Sequence, residues 1–175
     1  MESILNTKIN KKVLITAGYI ISALMLPQMF HLFGIPGNVF LPMHIPVLLA
    51  GFTLGPIYGM LSGVASPVIS CLLTGMPVVF PVMPIMVFEL GTYGLISGLI
   101  SKKEKIPFIL KLIITLITGR IAYGLIYHII KQFFFTGIAS GISVINATKA
   151  GIPGILIQLV VITIAMKLLE KKEKQ

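Results

Sequence analysis

The stretch Ile155-Leu156-Ile157-Gln158-Leu159-Val160-Val161-Ile162-Thr163-Ile164-Ala165-Met166 is apolar at nearly every position. A transmembrane barrel strand alternates apolar and polar residues over about ten positions, and this stretch does not. Outside a closed barrel, backbone groups in lipid have to bond within their own segment, so the stretch reads as a membrane helix. It lies inside a run from about Ala150 to Leu169, close to the ~20 residues that a helix needs to cross the hydrocarbon core.

The rest of the chain reads the same way. Of its 175 residues 56% are hydrophobic and 11% charged, with a mean hydropathy of +1.01, whereas roughly a quarter of a soluble chain is charged. The length allows six or seven crossings and leaves no room for a separate soluble catalytic domain, so residues 1–175 are expected to form one transmembrane domain. A net charge of +9 invites a nucleic-acid reading, but the basic residues sit in short clusters between long apolar runs. The single cysteine, Cys71, excludes an internal disulfide and a cysteine metal cluster and is read as a small packing residue.

The spacing predicts six helices. The first runs from about Val13 to Phe33, too long for a signal-peptide core, with Pro27 expected to kink it. The uncharged segment Gly34-Ile35-Pro36-Gly37-Asn38-Val39-Phe40-Leu41-Pro42 reads as a loop. The second helix is about Met43 to Leu54, broken by Gly55-Pro56, and the third continues to about Leu73. A second uncharged loop opens at Thr74-Gly75-Met76-Pro77. The fourth helix spans about Pro81 to Ser101 and the fifth about Pro107 to Phe135. A polar loop with Gly137, Ser140, Gly141, Ser143 and Asn146 leads to the sixth.

Lysines then orient the bundle. Lys8, Lys11 and Lys12 precede the first helix; Lys102, Lys103, Lys105 and Lys111 flank the turn between the fourth and fifth; Lys167, Lys171, Lys172 and Lys174 end or follow the sixth. Basic residues near membrane ends mark the cytoplasmic side. With six helices all three clusters fall on that side and both termini are cytoplasmic; with five or seven they do not.

Glycines recur every four residues at Gly51, Gly55, Gly59 and Gly63, and again at Gly94 and Gly98. Such faces let helix backbones approach closely, either within the bundle or against a partner helix. The first helix carries a related pair, Gly18 and Ser22.

Few ionisable groups remain outside the lysine clusters: His31, His44, Glu89, Arg120, His128, Lys131 and Lys149. Glu89 is the one acidic residue within a membrane helix, where a charge costs roughly 2.5–3.5 kcal/mol on insertion scales. It therefore faces a partner or a cavity. Arg120, near the middle of the fifth helix, is the natural counter-charge, and an ion pair and a ligand role for Glu89 can coexist. His44 adjoins a Pro/Gly loop at a membrane mouth, where a ligand role stands beside a purely structural one. His128, Asn38 and Asn146 lie where the outer part of a site or its lid would be. There is no G-x-x-x-x-G-K-[ST] loop, no serine elbow and no paired metal-binding histidines. Neither a catalytic centre, a metal nor a cofactor is expected, and nothing in the chain powers transport alone.

The segment Leu41-Pro-Met-His-Ile-Pro-Val-Leu-Leu-Ala-Gly-Phe-Thr-Leu-Gly-Pro-Ile-Tyr-Gly59, followed by Ser66-Pro67, Leu73-Thr-Gly-Met-Pro77 and Phe88-Glu-Leu-Gly-Thr-Tyr-Gly94, resembles the substrate-binding S components of energy-coupling factor (ECF) transporters. The likeness is to the branch containing pantothenate, cobalamin and queuosine-precursor carriers. It implies a non-enzymatic subunit of the bacterial cell membrane that binds a micronutrient in an outward-facing pocket. Such a subunit docks on a transmembrane coupling protein driven by two ATPase subunits. Gly18 and Ser22 stand nearest to the family's Ala-x-x-x-Ala docking pair, from which they depart. Among substrates, pantothenate suits Arg120, Lys131 or Lys149. A deazaguanine base suits Glu89 and stacking on Tyr93 or Tyr123, and the sole buried acid tips the expectation towards the base. The rival readings are a self-powered secondary transporter and a membrane enzyme or assembly factor.

Overall fold

The computed structural model describes residues 2–34, 37–134 and 144–173. All regular elements among them are helices: α1 (Glu2–Leu32), α2 (Gly37–Phe40), α3 (His44–Leu54), α4 (Pro56–Thr74), α5 (Val82–Ser101), α6 (Phe108–Phe134), α7 (Val144–Ala150) and α8 (Ile152–Glu173). Among the described residues five segments are long and apolar enough to cross a membrane: Ile9–Leu32, Pro56–Thr74, Val82–Ser101, Phe108–Phe134 and Ile152–Leu169.

The expected second span is instead the short apolar helix α3. Its 11 residues extend about 16 Å at ~1.5 Å per residue, roughly half of the hydrocarbon core. Seven of them are buried, from His44 to Phe52, so its apolar character comes from packing inside the protein. Gly55 separates α3 from α4 with φ +99°, a conformation suited to glycine, and Pro56 opens α4 at a position where no N–H is needed.

Other boundaries differ for local reasons. Helix α1 begins at Glu2, ahead of Val13; its lead holds no Gly or Pro to interrupt a helix. The uncharged segment after α1 holds the single turn α2, closed by the Leu41 N–H donating to the Gly37 carbonyl at 2.9 Å. Asn146 and Lys149, expected in a loop, sit in α7, whose Ala-Thr-Lys-Ala tail tolerates helix. Gly137, Ser140, Gly141, Ser143 and Phe135 lie outside the described residues.

Helices α4 and α5 share the most extensive interface, and α3 packs on both. The glycine series makes this possible. A Cβ on Gly59 would overlap the Gly94 carbonyl, one on Gly63 the Leu90 carbonyl, and one on Gly51 the Ser97 hydroxyl. At Gly51, Gly59 and Gly63 the spacing therefore serves close contact inside the bundle, while nothing lies within 4 Å of a Cβ position on Gly55. Gly18 is the opposite case: nothing lies within 4 Å of its Cβ position, and Ser22 is exposed with its hydroxyl turned back to the Gly18 carbonyl at 2.9 Å. Of the five candidate spans, α1 supplies the least buried.

At the C-terminal end of α5, the Lys111 ammonium donates to the Ser101 carbonyl at 2.8 Å. A cation there satisfies a terminal carbonyl and opposes the helix dipole. Lys111→Met is expected to lower stability by about 1–2 kcal/mol, read as a lower unfolding temperature in detergent that Lys111→Arg largely restores.

Candidate functional site

Glu89 lies midway along α5 and is 3% exposed. Arg120 of α6 places Nη1 3.0 Å from its Oε1. Tyr93, one turn further along α5, donates its hydroxyl to the same oxygen at 3.2 Å. His44, the first residue of α3, holds Nε2 3.7 Å from that oxygen, too far for a hydrogen bond. Its ring meets Tyr93 edge-on, with centroids 5.4 Å apart. Three helices thus converge on one carboxylate oxygen. A buried carboxylate is tolerated when a counter-charge and hydrogen bonds replace its water, and the guanidinium and phenol do so here.

Local packing explains how the groups reach one another. Gly119, the residue before Arg120, lies so close to the Tyr93 ring that a Cβ there would overlap it, and its absence lets the phenol lie under Glu89. Gly151, at the start of α8, leaves the Arg120 guanidinium its place: a Cβ on Gly151 would stand 3.0 Å from Nη2. The guanidinium carbon lies 5.9 Å from the Tyr123 ring centroid, within the range of a cation–π contact.

His44, Glu89, Arg120 and Tyr123 line a cavity of about 530 Å³, within the range of ligand sites. Its walls are largely apolar, with Met43, Met86, Val78 and Val82 among them, and Gln28 and His31 of α1 bring polar groups. Leu41, also in the wall, takes a left-handed backbone with φ +51°. Such a conformation costs a branched residue on the order of 1 kcal/mol or more and is found at ligand clamps.

Of the residues singled out in the sequence, His44, Glu89, Arg120 and Tyr123 line the cavity together. Tyr93 stands behind Glu89 as its hydrogen-bond donor. His128 is exposed on α6, two turns beyond Arg120, and is not part of the lining; nor is Asn146, exposed on α7 beside the lining residue Ala147. Asn38 belongs to α2, and its side chain lies outside the described residues. His31, Gln28 and Ser70 line the cavity without having been singled out for a ligand. Gln28 and His31 are three residues apart, hence on one helix face, and polar residues in an apolar helix are the sign that points to them. Among the described residues no group of three or more His, Cys, Asp or Glu is placed to hold a metal ion.

The family model described as "ECF transporter, substrate-specific component" matches residues 12–170. No curated protein and no solved structure matches the chain.

Proposed function

The chain belongs to the family of ECF transporter substrate-specific components, and from that premise we propose that it captures one small micronutrient in the Glu89–Arg120 cavity. The observation that carries this reading is a buried ion pair at the bottom of a largely apolar cavity of about 530 Å³. Such a site orients a ligand by a few polar groups and holds it by apolar contact. The volume suits a single vitamin such as pantothenate, or a deazaguanine base of the queuosine-precursor type. It disfavours a whole cobalamin.

In this reading α3 is the sixth membrane segment, an inner one, and both termini are cytoplasmic in a bacterial cell membrane. The lysine clusters support that orientation. The cavity then opens outward. Delivery depends on a transmembrane coupling protein and two ATPase subunits, shared or dedicated, since no phosphate-binding loop is present in the sequence. The open face of α1 around Gly18 and Ser22 is the proposed docking side, because it is the small-residue face that the bundle leaves uncovered.

The test uses the isolated protein and a panel of vitamins and deazapurines, followed by thermal shift and calorimetry. At least one compound is expected to bind with micromolar affinity or better, and uptake into liposomes is expected only when the coupling protein and ATPases are added. If no compound binds, ligand capture is refuted. Uptake by this chain alone under an ion gradient would establish the rival, a secondary transporter.

A further inference from the structure

We propose that the ligand of this cavity is an uncharged molecule that donates an N–H group to Oε2 of Glu89, as a ring amide or an amino-substituted heterocycle does. The proposal rests on the reading of the cavity as the ligand site and narrows that ligand to one chemical class.

The argument starts from which polar atoms a ligand can reach. Among the described residues, both ring nitrogens of His44 and the Nε and Nη2 atoms of Arg120 are buried without a hydrogen-bond partner. Both residues line the cavity, but these atoms are closed off from it. Nη2 lies against the junction of α7 and α8, where a Cβ on Gly151 would stand 3.0 Å from it. The remaining guanidinium nitrogen, Nη1, is committed to Glu89. Arg120 therefore offers no open pair of N–H groups, which is the feature that holds a carboxylate.

Glu89 is the reverse case. Its polar contacts gather on one oxygen: Arg120 stands 3.0 Å, Tyr93 3.2 Å and His44 3.7 Å from Oε1. None of them falls on Oε2. Among the described residues, the closed and unpaired atoms do not include Oε2 either, so it is the oxygen left open on a residue that lines the cavity. A carboxylate oxygen only accepts, so its partner has to be a donor. Because Oε1 is occupied, the ligand meets a single oxygen, and one N–H is enough to engage it.

Charge selects further. Arg120 already balances Glu89. An anion entering the cavity finds no open guanidinium edge, and a cation drawn to the carboxylate is repelled by the guanidinium beside it. Within largely apolar walls an unbalanced charge is costly to desolvate, so a neutral donor fits best. The rest of such a molecule has a place too. Met43 and Met86 of the wall are adaptable thioethers that favour contact with aromatic rings. Gln28 and His31 of α1, half-buried and exposed, add an amide and an imidazole to meet the heteroatoms of a ring.

The experiment measures binding to the full chain in nanodiscs with matched compounds. Nicotinamide is set against N,N-dimethylnicotinamide and the anion nicotinate. The neutral base 7-cyano-7-deazaguanine is set against its N-methylated derivatives and the cation 7-aminomethyl-7-deazaguanine, with pantothenate as a further anion. At least one neutral N–H donor is expected to bind at least about tenfold more tightly than a partner lacking that N–H, and more tightly than its charged counterpart. In Glu89→Gln the guanidinium and the phenol draw the amide oxygen, so the NH2 faces the ligand and a donor meets a donor. The folded fraction of this variant is expected to lose at least about tenfold in affinity for the N–H compound and little for its methylated partner. Equal or tighter binding of the methylated partner overturns the proposal, as does undiminished donor affinity in folded Glu89→Gln. If an anion or a cation binds most tightly, the neutral donor is refuted while micronutrient capture stands; if nothing binds, both fall. Should the variant not fold, the matched compounds on the native chain decide alone.

Discussion

Arg120→Met is expected to be the most damaging single change at the cavity, lowering stability on the order of 3–5 kcal/mol. The substitution keeps much of the apolar bulk but leaves Glu89, 3% exposed, without the guanidinium that stands 3.0 Å away. The Tyr93 hydroxyl remains, yet one neutral donor does not replace a counter-charge. The carboxylate then has to be buried alone or take up a proton, and both cost free energy. Glu89→Gln strands the guanidinium instead and is expected to destabilise as well. The double variant Glu89→Gln with Arg120→Met removes both charges and is expected to recover most of the loss, because the penalty lies in the orphaned partner and not in the missing pair. Cys71, the only cysteine, is buried, so a thiol-reactive dye reports unfolding in detergent for all four proteins. A native-like melting curve for Arg120→Met, or a double variant no more stable than the worse single one, would refute this account of the pair.

That pair was legible in the sequence because a charge in an apolar helix has few ways to exist. One acid and one central arginine in neighbouring helices leave one economical arrangement, and the structure has it. The meeting of His44 and Tyr93 with the same carboxylate oxygen was not legible, since it depends on how α3 is set against α5. Each residue could be nominated from the sequence, but no spacing rule fixes contact between separate helices. Helix α3 shows a different limit. Hydropathy records that Val47, Leu48 and Ala50 avoid water, and is blind to whether lipid or protein surrounds them; here it is protein. The break at Gly55-Pro56 was readable because both residues act through their own backbone. The turns α2 and α7 were not, because short helices owe their existence to what they pack against.

Gly94→Ala is expected to disrupt the fold out of proportion to one methyl group, whereas Gly18→Ala is expected to leave the melting temperature near that of the native chain. Both glycines sit within helices and belong to four-residue small-residue patterns, so the sequence treats them alike. The structure does not. A Cβ on Gly94 would overlap the Gly59 carbonyl and stand 2.8 Å from the Met60 nitrogen, while one on Gly18 meets nothing within 4 Å. The obstacle at Gly94 is backbone, which has no rotamer to change, so α4 and α5 have to separate. Overpacking of this kind costs about 1–3 kcal/mol and occasionally more. Separation along the most extensive interface of the bundle should reach or pass the upper end. It also displaces Glu89, five residues earlier on α5, from Arg120, so the variant should lose ligand affinity along with stability. A bulkier change, Gly18→Leu, separates folding from docking: an unchanged melting curve and unchanged ligand binding, with uptake reduced once the coupling module is present, identify the open α1 face as the docking side. Matching melting curves for the two alanine variants would refute the claim that backbone contact at Gly94 holds α4 against α5.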